Sequence, residues 1–194
     1  MGLINIFVEG EIDEAVARKI IIATGHTPGT VYGKYGSDYI RKRVNGFNNA
    51  AAYVAYLTLV DFMDTGLMCP PEVVASWLPH RNQRMIFRVV EREIESWLLA
   101  DRQNIANFMK VSLDKIPQYP ETLKDPKQSL ISIARGSKSS KVRSAIVPRQ
   151  GSIAQVGKLY TSEIINFINT MWNIESARVI APSLDKCLIA LEAM

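Results

Sequence analysis

The segment that decides the fold is residues 3–14, LINIFVEGEIDE. Its first six residues, Leu3 to Val8, are mostly apolar and rich in β-branched side chains, which favours a short strand. Glu9 and Gly10 interrupt this run, and from Ile12 to Ile21 the apolar residues recur at helical spacing. A strand that turns directly into a helix is the repeating unit of α/β proteins, so we predict this fold class.

The same alternation continues along the chain. Runs with β propensity recur at Thr30 to Tyr32, Ala52 to Val60 and Met85 to Val90, and each is followed by a segment that contains helical periodicity. Further on, helices are expected from Ser162 to Trp172 and from Pro182 onward. We therefore predict a mostly parallel sheet flanked by helices, with a C-terminal helical extension.

The positive charge of the chain is concentrated in one stretch. The net charge is +4, and residues 124–150 carry seven basic side chains against one acidic side chain. We predict a mobile basic loop that binds a polyanion there. We therefore predict three parts of the chain. They are an α/β core over residues 1–123, the basic loop over 124–150 and C-terminal helices over 151–194 that pack on the core. The side chains expected to contact nucleic acid are Lys138, Lys141, Arg143 and Arg149.

Length and composition further limit the class of protein to which this chain can belong. A chain of 194 residues with 47% hydrophobic and 22% charged residues is typical of one globular domain and excludes a disordered or collagen-like protein. No apolar stretch approaches the roughly 20 residues that cross a membrane, so no membrane association is expected. Cys69 and Cys187 lie far apart and the chain has two histidines, which argues against a zinc site and favours a cytoplasmic location.

Acidic residues follow three of the predicted strands. Glu9 ends the first strand and Asp13 follows it, Asp61 ends the third strand with Asp64 nearby, and Glu95 follows the fourth. Ligands of open α/β sheets bind at the carboxyl ends of the strands, and clustered carboxylates need cations to offset their repulsion. Mg²⁺ or Mn²⁺ prefers such oxygen ligands, so we predict a divalent-metal site here.

Three motifs resemble a known family. The stretch from Phe7 to Glu14 resembles the first motif of the Toprim domain, and Leu59 to Asp64 resembles its second motif. The segment from Arg92 to Asp101 is similar to a motif of small bacterial Toprim-like proteins related to OLD-family nucleases. Two segments of the C-terminal part also resemble that family, namely Gly157 to Tyr160 and Ala181 to Asp185. The resemblance therefore covers most of the chain.

The resemblance implies a Toprim-like fold with divalent-metal-dependent phosphodiester chemistry. By motif position, Glu9 would be a metal ligand or general acid/base, and Asp61 and Asp64 would bind Mg²⁺. Asp13 and Glu95 would complete the site. The two aspartates of the second motif are separated by two residues here, one more than the usual spacing in the family.

Three functions agree with these residues. The first is a nuclease acting on DNA or RNA, with Glu9, Asp61 and Lys158 as its catalytic residues, where Lys158 steadies the scissile phosphate. The resemblance implies that it would work as a phage-defence effector with a partner ATPase, as Toprim-like relatives often do. Any nucleotide hydrolysis would come from that partner, since this chain has no Walker A motif. The second is a non-catalytic nucleic-acid-binding or adaptor subunit, which the wider aspartate spacing favours. The third is a phosphohydrolase or phosphotransferase with Asp61 as nucleophile, Asp64 as acid/base and Thr65 nearby. Both a monomer and a homo-oligomer agree with the sequence.

Overall fold

The structure is a computed structural model that describes residues 2–194. Within these residues the strands are β1 (Leu3–Val8), β2 (Thr27–Gly33), β3 (Ala55–Asp61) and β4 (Met85–Val90). The α-helices are α1 (Glu11–Ala23), α2 (Ser37–Ala50), α3 (Pro70–Trp77), α4 (Ile94–Ala100), α5 (Arg102–Met109), α6 (Pro126–Arg135), α7 (Ser140–Ile146), α8 (Tyr160–Thr170), α9 (Ile174–Arg178) and α10 (Pro182–Glu192). Short 3-10 helices cover Phe62–Thr65, Leu113–Lys115 and Pro120–Thr122.

The strands form one parallel sheet in the order β2-β1-β3-β4. In the two central strands, β1 and β3, every residue except Leu3 is buried, as expected when helices cover both faces of a parallel sheet. The predicted α/β class, with a parallel sheet flanked by helices, is therefore confirmed.

The chain divides into two compact units. The sheet unit comprises the residues up to Glu91 together with Ser183–Met194, and the helical unit comprises Arg92–Pro182. These limits differ from the predicted boundaries at residues 123 and 150. Most of the last helix, α10, therefore belongs with the sheet, whereas the basic stretch and the helices α8 and α9 belong to the helical unit.

The prediction that residues 124–150 form a loop is wrong, because α6 and α7 occupy most of this stretch. The side chain of Asp125 accepts a hydrogen bond from the backbone of Gln128 and caps α6, and Pro126 follows at the first helical position. Ser139 caps α7 in the same way. Leu130 and Ala134 form part of a buried apolar face in α6. The many lysines and arginines conceal this helical pattern in the sequence.

In the sheet unit, α1 contacts β1, β2 and β3, while α2 contacts β3 and α3 contacts β4. The histidine His26, to which the sequence assigns no role, links the start of the sheet to α10. Its Nδ1 accepts a hydrogen bond from the backbone N–H of Gly2 (3.2 Å), and its Nε2 lies 3.0 Å from the carbonyl oxygen of Leu191. A neutral imidazole protonated at Nε2 satisfies both contacts, and one side chain thus secures the C-terminal helix to the sheet.

In the helical unit, buried polar contacts join segments that are far apart in sequence. The indole of Trp172 donates to the carbonyl oxygen of Trp97 at 3.2 Å, and both side chains are buried. The buried carboxylate of Asp101 accepts from the backbone N–H of Asn173 at 2.6 Å. None of the helices within residues 2–194 has the length and apolar character that crossing a membrane requires.

One glycine lets the edge strand β2 approach the end of β1. Gly33 has φ +95°, and a Cβ at this position would clash with the carbonyl oxygen of Val8. That same oxygen accepts a hydrogen bond from the N–H of Lys34 at 2.8 Å. Because Val8 immediately precedes Glu9, this close approach fixes the backbone that carries the first acidic residue.

We expect Gly33→Ala to lower the free energy of unfolding by about 1–3 kcal/mol, because alanine is strained at this φ and lacks room for its Cβ. The matched control is Gly46→Ala in the exposed part of α2, where nothing lies within 4 Å of an added Cβ. There alanine should stabilise the protein by about 0.5–1 kcal/mol. Urea denaturation of the three proteins measures both effects, and an equal change in the two variants would contradict this account of Gly33.

Candidate functional site

Three acidic residues lie at the carboxyl ends of neighbouring strands. Glu9 follows β1, Asp61 is the last residue of β3 and Glu91 follows β4. The parallel register pairs Val8 with Leu59 and Asp61 with Val90, so the three strands end at nearly the same level. Parallel topology alone therefore brings these side chains to one edge of the sheet.

Glu9 and Asp61 are in direct contact. The backbone N–H of Asp61 donates a hydrogen bond to Oε1 of Glu9 at 3.0 Å. The backbone of Glu9 is also fixed, since its carbonyl oxygen accepts from the N–H of Gly36 at 3.2 Å. Asp61 is buried, with 8% of its surface exposed, and Glu9 is half-buried. The structure thus brings two of the predicted site residues together in a partly desolvated position.

Asp13 is, after Asp61, the second buried acidic residue of this unit. It lies in the first turn of α1, with 7% of its surface exposed. One of its carboxylate oxygens would lie 3.2 Å from a Cβ added to Gly10, so Asp13 folds back toward the turn between β1 and α1. Its carboxylate therefore lies close to the backbone that follows Glu9.

The neighbouring Glu14 is neutralised by two cations. It forms ion pairs with Arg18 at 2.8 Å and with Lys34 at 2.9 Å. Burial would raise the pKa of Glu14, but the hydrogen bonds from Lys34 and Arg18 outweigh burial and hold it below its ordinary value. Glu14 consequently serves to hold the segment after β2 against α1, which places Lys34 beside the acidic edge.

Asp64 has a different environment. It lies in the 3-10 helix Phe62–Thr65 and its side chain is exposed. Its backbone carbonyl oxygen accepts from the hydroxyl of Ser37 at 3.4 Å, and the hydroxyl of Thr65 donates to the carbonyl oxygen of Phe62 at 2.7 Å. These contacts fix the turn that follows Asp61 and leave the Asp64 carboxylate in solvent.

The donor set determines what kind of ion could bind. Among residues 2–194, no group of three or more histidine, cysteine, aspartate or glutamate side chains is arranged to hold a metal. Mg²⁺, however, keeps several waters and commonly uses only one or two carboxylates together with substrate phosphates. Glu9, whose carboxylate is held by the backbone of Asp61, and Asp61 itself could supply such a pair of carboxylates for a hydrated ion, without an all-protein cage.

Glu95 lies in the helical unit, where other side chains of that unit surround it. It is fully buried, accepts a hydrogen bond from the hydroxyl of Tyr160 at 2.8 Å, and lies 3.6 Å from the ammonium of Lys127. The same ammonium pairs with Glu93 at 3.2 Å. Burial raises the pKa of Glu95 from 4.5 to about 7, against the opposing effects of Lys127 and Tyr160. These contacts connect α4 with α6 and α8.

The basic residues separate into two groups. Arg143 and Arg149 line one cavity together with Arg135, a residue that sequence reasoning did not select. Lys138, Lys141 and Lys158 do not line this cavity, and all six of these basic residues are exposed. The signal for Arg135 was present in the sequence, because no acidic residue occurs between Asp125 and Glu163 to pair with it.

Comparisons of this chain with models of protein families, with curated proteins and with solved structures found no match.

The buried carboxyl of Glu95 predicts a specific pH dependence of stability. Because the folded state holds this proton more tightly than the unfolded chain, the contribution of Glu95 is fully present below pH 4.5 and is lost as the pH rises through 7. We expect it to lower the free energy of unfolding between pH 5 and 8 by on the order of 3 kcal/mol at most.

Glu95→Gln should remove this part of the pH dependence, since glutamine can still accept from Tyr160 and does not ionise. The control Asp114→Asn changes an exposed carboxylate of the same unit and should keep the wild-type slope. Denaturation at several pH values measures the slopes, and identical slopes for the wild type and Glu95→Gln would refute the raised pKa.

Proposed function

We propose that this chain is a divalent-metal-dependent nuclease that hydrolyses phosphodiester bonds of DNA or RNA. The observation that carries the proposal is the contact between Glu9 and Asp61 at the carboxyl edge of the parallel sheet. A carboxylate that is held against the backbone of a second acidic residue at this edge is an arrangement suited to Mg²⁺ or Mn²⁺ and to the phosphate oxygens that such ions bind.

Glu9 and Asp61 would hold the ion, and Asp13 and Asp64, further acidic residues of the two motifs, would support it through water. A bound ion of this class polarises a phosphoryl oxygen and lowers the pKa of a bound water. The chain's own part is to keep Glu9 in place through its hydrogen bond from Asp61 and through the backbone contacts of the β1–α1 turn. Partial burial strengthens the attraction of Asp61 for a cation.

The finer fold assignment is part of the proposal. We assign the sheet unit to a Toprim-like arrangement, because Glu9 follows β1 and Asp61 ends β3, the places where the resemblance puts its acidic motifs. Four further points remain predictions from the sequence. They are the C-terminal helical extension, Glu95 as a further metal ligand, Lys158 as a contact of the phosphate, and a partner ATPase in phage defence.

We expect cleavage of plasmid, linear DNA or tRNA in the presence of Mn²⁺ or Mg²⁺, and none in EDTA. Glu9→Gln and Asp61→Asn should each lower the cleavage rate roughly a hundredfold or more, because they remove the charge that attracts the ion. Both variants should stay folded, since glutamine still accepts from the N–H of Asp61 and Asp61→Asn keeps that N–H.

The matched control is Glu11→Gln, which removes an exposed carboxylate from the first turn of α1, two residues after Glu9, and should cleave at the wild-type rate. Equal loss of activity in Glu11→Gln would show a general effect of charge and would count against the site. Labelled phosphate trapped on Asp61 would identify a phosphotransferase in place of a nuclease.

The second candidate is a non-catalytic subunit that binds nucleic acid. Two observations favour it, namely the absence of a group of three metal-ligating side chains within residues 2–194 and the cavity lined by three arginines in the helical unit. Nucleic-acid binding that survives Glu9→Gln, with no cleavage in any divalent metal, would establish this function over the nuclease.

A further inference from the structure

A cationic cavity of about 420 Å³ lies within the helical unit. It is formed by the end of α6, by α7 and by the segment that follows α7. Its polar lining residues are Arg135, Arg143, Arg149, Ser140 and Ser144, all of them exposed, so the cavity is open to solvent. Three arginines and two serines thus border one open cavity, and no carboxylate is among the lining residues.

The charge of this cavity is not compensated nearby. Residues 126–162 contain seven basic side chains and no acidic one. Within residues 92–182, none of the ion pairs involves Arg135, Arg143 or Arg149. The acidic residue that precedes this stretch, Asp125, caps α6, and Glu93 of the same unit pairs with Lys127. Three like charges around one space repel one another, so a bound anion would stabilise the arrangement.

The walls of the cavity are fixed in place by backbone contacts. The guanidinium of Arg143 donates to the carbonyl oxygen of Ser137. The end of α7 is held from the other side, where the N–H of Gly157 donates to the carbonyl oxygen of Ile146 at 2.9 Å. Gly157 is needed there, because a Cβ would clash with the carbonyl oxygen of Ala145. A site that is already formed loses little conformational entropy on binding, which favours a specific ligand.

The residues that line the cavity favour phosphate as the bound anion. Guanidinium groups match the oxygens of phosphate with paired hydrogen bonds. The hydroxyl of Ser140 can donate to the same anion, whereas that of Ser144 donates to the carbonyl oxygen of Lys141 at 3.0 Å. An internal phosphodiester offers one negative charge, whereas a terminal phosphomonoester carries about −1.5 to −2 charges near neutral pH with three acceptor oxygens. Three converging arginines therefore suit a terminal phosphate better than a phosphate within a strand.

We propose that the cavity lined by Arg135, Arg143 and Arg149 binds the terminal phosphate of a nucleic-acid strand. The inference deepens the proposed function and rests on it for the choice of nucleic acid as the source of the phosphate. Within that function, the cavity would select phosphorylated ends, while the exposed Lys138 and Lys141 contribute only general attraction to the backbone.

Binding to short single strands tests this inference directly. The strands carry a phosphate at the 5′ end, at the 3′ end or at neither end, and affinity is measured by fluorescence anisotropy in EDTA. The wild type should bind one of the phosphorylated strands roughly tenfold more tightly than the unphosphorylated strand. The double variant R135Q/R149Q should bind all strands with equal affinity.

The matched control is K138Q/K141Q, which loses the same charge from the same stretch but outside the cavity. It should bind every strand more weakly and keep the preference for a phosphorylated end. The inference is overturned if the wild type shows no such preference, or if both double variants lose it equally. Competition by a phosphoserine peptide as strong as that by the phosphorylated strand would also overturn it, in favour of a protein ligand.

The design separates this inference from the proposed nuclease activity. No cleavage occurs in EDTA, and Glu9→Gln should show the wild-type preference because Glu9 belongs to the sheet unit. A chain that prefers phosphorylated ends but never cleaves them would refute the nuclease and leave the phosphate site standing. Metal-dependent cleavage without a preference for phosphorylated ends would support the nuclease and refute the phosphate site.

Discussion

The hydrogen bond from the backbone N–H of Asp61 to the carboxylate of Glu9 is the interaction on which the functional account depends. It exists because β1 and β3 are neighbours that run parallel in register, so their carboxyl ends reach the same edge of the sheet. Asp61 is the last residue of β3 and lies beyond the last residue pair of β1 and β3, Val8 with Leu59, and there its N–H donates to the side chain of Glu9. A carboxylate that accepts this bond is held at one position, which an ion-binding group requires.

The two units of the chain treat their acidic side chains differently. In the sheet unit, Glu14 is neutralised by Arg18 and Lys34, while Asp13 and Asp61 are buried close to turns of the backbone. In the helical unit, the buried Glu95 is raised in pKa by desolvation, and Tyr160 and Lys127 offset part of that cost. In the helical unit, the buried carboxylate therefore takes part in packing. In the sheet unit, the buried carboxylates form an edge to which a cation would be attracted.

Much of the fold follows from the sequence, because the apolar runs are short and sharply bounded. The strand Leu3–Val8 and the strand Met85–Val90 have the predicted limits, and Asp61 does end β3. The contact between Glu9 and Asp61 was predictable for the same reason, since parallel topology brings strand ends together. Its particular form, a side chain bonded to a backbone N–H, depends on register and could not be read from residue types.

Other features were concealed by local composition. The helices α6 and α7 were missed, because their basic residues hide the buried face that includes Leu130 and Ala134. The role of His26 depends on Leu191, which is distant in sequence, so no local pattern could indicate it. Arg135 joins Arg143 and Arg149 only because the turn between α6 and α7 brings them around one cavity. Such tertiary contacts are set by packing and are not visible in periodicity.

Titration of the purified chain with Mn²⁺, followed by electron paramagnetic resonance, tests the central claim most directly because it needs no substrate. The account predicts saturable Mn²⁺ binding by the wild type and by Glu11→Gln, and weaker binding by at least roughly tenfold in Glu9→Gln and in Asp61→Asn. Mn²⁺ binding that is the same in all four proteins, or absent from the wild type, would contradict it.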